Sequence, residues 1–360
     1  MTETKFTPGA WAMSDPILID YNMSADYCSD WTAIDAIREM VQNAIDSGAD
    51  FSCEILQNTI RVTTYNRTLP LSSLMLGQSV KAEGSIGKYG EGYKIGMLVL
   101  TRDKLLPTIT IKDYCIGGLL SSNAFHISTF KLKIIESQND VQDIVFECRI
   151  GDIDVEELAH KIPYFTADHP EKPKTVDIWQ DRPGEIYVNG LFVTKSDLVF
   201  GYNFAPSNIE LNRDRNMVGG IYWQLAIFYV SLGVSKAELI FNLVERDAPD
   251  VQDLSYMLHS DELKAELVRL FYNKYGGGAK ISKPGTSYFG GYGVISTGHA
   301  ASRVYEKCGI PEAKKVQDPL DPCAILSDWR EQNKSKMRRD LKVSFDQIIT
   351  RSKGWSKART

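Results

Sequence analysis

Apolar residues at Trp31, Ile34, Ile37, Met40, Val41 and Ile45 recur at spacings of three and four, which predicts a helix with one inward face. Ser29 or Asp30 is the expected N-cap, and Gly48 the residue that ends the helix. The pattern then alternates: Phe51–Leu56 and Thr59–Thr64 read as strands joined by a Gln57-Asn58 hairpin turn. Residues 16–21 read as a short edge strand. Further strand-like runs cover 108–112, 125–135, 143–149 and 174–179, and Val155–Lys161 reads as a short helix. From 217 onward the pattern is helical: Ile221–Leu232, 235–246 capped by Ser235, 254–259 and Asp261–Tyr275. Gly276-Gly277-Gly278 breaks this run. A Gly/Ser/Tyr-rich stretch over 284–297 and helices near 300–307 and 321–340 follow.

The first helix carries a polar row. Glu39, Asn43 and Asp46 are four and three residues apart, so their side chains leave from one stripe. Such a row is either a solvated face or a functional one. An ionised Glu and an Asn carbonyl are oxygen ligands of the kind Mg²⁺ takes, and a Glu beside that ion can activate a water as general base. A second stretch, 85–100, starts with Gly87, Gly90 and Gly92 and runs into a helical pattern. Glycines let phosphate oxygens reach backbone amides, and a helix start offers them unpaired N–H groups. A tight loop before a buried helix has the same pattern. The spacing Gly-x-x-Gly-x-Gly is neither the dinucleotide fingerprint nor a P-loop.

Together the two stretches resemble a known superfamily. Glu39-Met40-Val41-Gln42-Asn43-Ala44-Ile45-Asp46-Ser47 is similar to the Glu-x-x-x-Asn-Ala-x-Asp-Ala helix of the GHKL ATPases, which include gyrase B, MutL, MORC proteins, the large heat-shock chaperones and sensor histidine kinases. Ser79-Val80-Lys81 followed by Gly87-x-Tyr89-Gly90-x-Gly92-Tyr93-Lys94 resembles the lid and glycine loop of the same superfamily. The resemblance implies a Bergerat-type α/β sandwich binding ATP and Mg²⁺. Glu39 would be the general base and Asn43 the metal ligand. Asp46 would help hold the nucleotide, and Lys81, Gly87, Tyr89, Gly90 and Gly92 would lie at the phosphates. Where the superfamily has Asp-x-Gly-x-Gly, this chain has Thr64-Tyr65-Asn66-Arg67-Thr68, so the adenine-reading Asp is Thr64 and two glycines are Asn66 and Thr68. Thr175 matches a strand threonine that approaches the nucleotide, or is an ordinary strand residue. Further on, Leu211-Asn212-Arg213-Asp214-Arg215 is similar to a chaperone segment whose arginine reaches the γ-phosphate; Arg215 fits that register and Arg213 is its rival. Surface arginines paired to Asp214 and Glu210 are the other reading.

Composition adds limits. The 360 residues carry a net charge of −5, which gives no global attraction to nucleic acid. The charge is uneven: residues 331–360 are +6 and the rest −11, so that segment is the candidate nucleic-acid contact. Six cysteines without a Cys-x-x-Cys pair suggest reduced thiols in a cytoplasmic protein rather than a zinc site. The first thirty residues have no signal-peptide pattern. Residues 217–234 are uncharged but interrupted by glycines and Gln224, and read as a buried helix rather than a membrane span. The expected organisation is a nucleotide-binding domain over 1–182, a transducer-like segment over 183–276 supplying Arg215, and a mainly helical region of unassigned role over 277–360. The leading expectation is an ATP-driven switch, hydrolysing slowly, that dimerises on ATP and acts on a macromolecular partner. The alternatives are a nucleotide-binding regulator without turnover and a nucleic-acid-associated protein using its basic tail. No phosphoacceptor helix precedes the motifs, which argues against a sensor kinase.

Overall fold

The computed structural model describes residues 15–74, 92–137, 142–167, 169–211, 218–284 and 293–313. Between 326 and 356 it describes 326–327, 329–330, 333, 337 and 339–356. The glycine loop up to residue 91, including Lys81, Gly87, Tyr89 and Gly90, lies outside the described residues, as do Arg213 and Arg215. The chain is a mixed α/β protein in two compact units, Met1–Ile221 and Tyr222–Thr360.

In the first unit the order is β1 (Ile17–Ser24), α1 (Ala33–Asp46), β2 (Phe51–Leu56), β3 (Thr59–Thr64), α2 (Gly92–Arg102), β4 (Thr108–Ile111), β5 (Tyr114–Ser122), β6 (Ser128–Glu136) and β7 (Ile144–Arg149). Among the described residues these seven strands form one sheet, β1-β6-β5-β4-β7-β3-β2, antiparallel throughout. Strand β1 is an edge, as its mixed pattern predicts. Along β3, Ile60, Val62 and Thr64 alternate onto one face, and their neighbours Phe146, Ile109, Ile116 and Ile134 complete a buried apolar layer. Helices α1 and α2 share one core with this layer. The other face is polar, with Arg61 bonded to Glu147 across strands at 2.7 Å.

Local chemistry sets the helix ends. Helix α1 is capped at Thr32 rather than at Ser29 or Asp30, because Thr32 and Asp35 form a reciprocal capping box. Gly48 follows the end of the helix with φ +67°, where a side chain would be strained. Strand β6 begins at Ser128 rather than 125, since residues 123–127 form a turn in which Asn123 Oδ1 accepts from Phe125 N and Ile127 N.

The first unit continues with α3 (Val155–Lys161), capped by Asp154, then β8 (Val176–Trp179), β9 (Glu185–Val188), β10 (Leu191–Lys195) and β11 (Gly201–Phe204). These strands form a second sheet, β10-β9-β11-β8. A short antiparallel pair, β12 (Glu210–Leu211) and β13 (Val218–Gly219), closes the unit.

The second unit contains α4 (Ile221–Leu232), α5 (Ala237–Glu245), α6 (Leu254–Met257), α7 (Asp261–Tyr275), β14 (Lys280–Ser282), β15 (Val294–Ser296), α8 (His299–Lys307) and α9 (Arg339–Ser356). Helix α4 buries only the stripe Leu225, Ala226 and Tyr229, while Trp223 and Ile227 are exposed, so the expected buried helix is buried on one side. No helix among the described residues is long and apolar enough to cross a membrane. Ser235 does not cap α5. Its hydroxyl donates to Leu232 O, and α5 follows a short 3-10 turn with Lys236 at the cap position. Gly276, at φ +90°, ends α7, and β14 follows after a short turn.

Candidate functional site

The helix motif meets Gly92, the last glycine of the second motif, where α1 crosses α2. Glu39 sits in the middle of α1 with 4% exposure, although a carboxylate is seldom buried without a purpose or a partner. Its carboxylate lies on the first residue of α2: a Cβ built on Gly92 would be 2.0 Å from Glu39 Oε2 and 3.0 Å from its Cδ. One turn along, Gly96 brings α2 against Met40 Cε and Ala36 O, where a Cβ would stand at 2.8 and 3.1 Å. Helix α2 is held down from the other side as well, since Gly118 of β5 leaves room for Thr101.

Asn43 lies one turn beyond Glu39 and is half-buried. Its Nδ2 donates to Glu39 O at 2.8 Å, which orients the amide and puts the carbonyl oxygen on the opposite side. Asp46, also half-buried, is the last residue of α1. Thr64 is buried at the end of β3, on the face that carries Ile60 and Val62. Glu39, Asn43, Asp46, Thr64 and Gly92 thus belong to one helix-covered sheet. Thr175 does not. It precedes β8 of the second sheet and is exposed, and its carbonyl accepts Ala205 N at 2.8 Å. Ile144 of β7, not the Thr175 strand, pairs with Thr64.

The loop after β3 has a shape that its residues alone do not announce. Asn66 takes φ +52°, a left-handed conformation that Asn tolerates and glycine favours, at the position where the resemblance expects the first glycine. Its N–H donates to Asp143 Oδ1 at 2.9 Å, so a carboxylate from the strand next to β3 supports the loop. Arg67 donates through Nη2 to Ser47 O at 2.9 Å and satisfies the end of α1.

A comparison with known proteins gives a distant relative. It is 24% identical over 222 residues to an uncharacterized protein of Mycoplasma pneumoniae (strain ATCC 29342 / M129 / Subtype 1), a match covering 55% of this chain and 88% of the relative. No family model matches the chain.

Three residues in and around the motifs have roles that the sequence did not assign. Tyr93 donates to Ser73 O at 2.6 Å, and Tyr21 of β1 donates to Leu74 O. Ser73 and Leu74 are thereby tied to the head of α2 and to β1. Burial pushes both phenols well above the usual tyrosine range, so they remain donors. Lys94 is fully buried on α2 with its ammonium 5.2 Å from the Tyr93 ring centroid. A lysine inside an apolar helix pattern was the one available signal, because full burial of an ammonium is rare.

Proposed function

We propose that the first unit is a Bergerat-type ATP-binding sandwich and that the chain is a slowly hydrolysing, GHKL-type conformational switch. One observation carries the reading: Glu39 of the helix motif rests on Gly92, the last glycine of the glycine motif. The resemblance requires these two stretches to form one site, and chance helix packing has no reason to seat a buried carboxylate there. The order strand, polar-row helix, hairpin, glycine segment, helix and antiparallel strands supports the same reading. So does the left-handed Asn66.

The residues fit the implied group. Among the described residues no three His, Cys, Asp or Glu side chains converge as a metal cage. Mg²⁺ bound with a nucleotide needs none, since phosphates and waters supply most of its ligands. Asn43 would give one oxygen, and Asp46 and Thr64 would face the nucleoside end. Glu39 would take a proton from the attacking water. Bound Mg·ATP supplies the phosphoryl group and the charge that the site stabilises. Thr64 is neutral where the superfamily has a carboxylate, so ATP should be only weakly preferred over GTP. By resemblance, Lys81, Gly87, Tyr89 and Gly90 would join the phosphates, and Arg215 the γ-phosphate. Thr175 remains a nucleotide contact by resemblance alone. Dimerisation on ATP and a macromolecular partner belong to the same proposal.

The test is phosphate release by the full chain and by Glu39→Ala. The proposal expects the variant to bind ATP and to lose about 10²–10⁴-fold in rate. Equal rates in the two proteins would return Glu39 to a structural role. The basic tail gains no comparable support: Phe345, one of its two aromatics, stacks on Trp329 at 5.0 Å, and Asp346 pairs with Arg330.

A further inference from the structure

We infer that Gly92 is the seat of the Glu39 carboxylate, a positioning residue for the general base rather than a glycine that admits phosphate; this rests on the reading of Glu39 given above. Glycine is required at a position for one of three reasons. The backbone may need φ > 0, a ligand may approach the main chain, or another side chain may occupy the place of the Cβ. Gly92 does not lie in the left-handed region and is a helix residue. The place of its Cβ is taken by Glu39 Oε2. The third reason therefore applies on the geometry itself.

Gly96 repeats the arrangement one turn later, where Met40 and the Ala36 carbonyl fill the corresponding space. Two glycines four apart on α2 thus receive a stripe of α1 made of Ala36, Glu39 and Met40. Small residues at this spacing let two helices approach closely. The difference between the two positions is what fills them. At Gly96 the neighbours include rigid backbone. At Gly92 the nearest atom is the tip of a flexible side chain. A methyl group at 92 would therefore leave the fold in place and move the carboxylate. Displacing a reacting group by about 1 Å can cost about 10²-fold in rate.

The experiment compares the full wild-type chain, Gly92→Ala, Glu39→Ala and the double variant. It measures ATP binding by calorimetry, phosphate release and the thermal midpoint. Gly92→Ala should bind ATP with unchanged affinity and hydrolyse it about 10²-fold more slowly. In the Glu39→Ala background it should cost no further activity, because both substitutions remove one function. The thermal midpoint gives an activity-free readout. Gly92→Ala should raise it more in the Glu39→Ala background, where the carboxylate it would displace is gone, than in the wild-type background. Loss of ATP affinity equal to the loss of rate would overturn the inference, because the glycine would then face the phosphates. Equal thermal effects in both backgrounds would overturn it too. A wild-type chain that fails to bind ATP would instead remove the proposed function.

Discussion

Each unit of the molecule contains a carboxylate drawn inward, and the two meet different groups. In the second unit Glu245 accepts from the hydroxyls of Tyr275 and Tyr305 and pairs with Lys274 at 2.5 Å. Burial pushes the Tyr305 phenol far above its usual range, and the Glu245 carboxylate it donates to pushes it further. Two residues on, Asp247 caps α8 from a distance: its oxygens accept His299 N at 3.0 Å and Ala301 N at 2.9 Å. Gly298 has no side chain because Asp247 fills that space. These acids are bound to groups that hold helices and rings together. In the first unit Glu39 is buried more deeply, and its carboxylate rests on a glycine at the head of a helix. Burial of a carboxylate does not mark a site. The identity of the atoms it meets does.

The comparison can be broken by substitution. On the proposed reading, Glu39→Ala should cost the most in turnover and less in thermal stability than a lost helix cap. Asp247→Ala should do the opposite, lowering stability by about 1–2 kcal/mol for the lost cap, while Asp247→Asn keeps an acceptor and most of the stability. Chemical denaturation of the three variants separates the cases. If Glu39→Ala destabilised as much as Asp247→Ala, the two acids would be alike and structural.

Smaller effects sharpen the picture. Gly96→Ala meets backbone at Ala36 O, so overpacking of about 1–3 kcal/mol, less about 1 kcal/mol gained in helix propensity, leaves a net loss of about 1 kcal/mol. A thermal melt would show it, and a stabilised variant would contradict the close helix crossing.

The smallest effect is on pH dependence. Burial pushes the Glu185 carboxyl up, but hydrogen bonds from His160, Tyr187 and Lys195 outweigh it and hold the group below its usual range. A depressed carboxyl contributes stability above its unfolded value, near pH ~4.3, and loses it as pH falls through the folded value. The wild-type advantage over Glu185→Gln in thermal midpoint should therefore shrink on acidification below about pH 4.3. A gap that stays constant there would remove Glu185 from the acid-sensitive groups.

Much of the first unit was legible because its elements follow single periods. Helix α1 and the β2–β3 hairpin repeat at 3.6 and 2, and the structure places both hairpin strands at the expected bounds. Strand β5 was not legible. Gly117 and Gly118 interrupt its alternation, and Gly118 admits Thr101 of α2, a tertiary contact that no local pattern shows. The N-cap was missed because Thr32 acts through Asp35, a bond between side chain and backbone that a list of cap residues does not reveal. The tight turn at Asn189-Gly190, with φ of +48° and +74°, carried an Asn-Gly hairpin signal that went unread in the sequence. In the site, residue types and spacings gave the candidates, and the crossing of two helices supplied the contact. No local pattern could join Glu39 to Gly92. The second unit was legible as helices and silent about purpose, because its polar residues serve caps and ring contacts.

The central claim is that the first unit binds Mg·ATP at the α1–α2 crossing. Its most direct test is calorimetric titration of the full chain with ATP, with Mg²⁺ and with chelator, alongside Asn43→Ala. The account predicts saturable binding and a raised thermal midpoint with Mg²⁺, both weakened by the chelator and by Asn43→Ala. No heat and no thermal shift at millimolar ATP would contradict it.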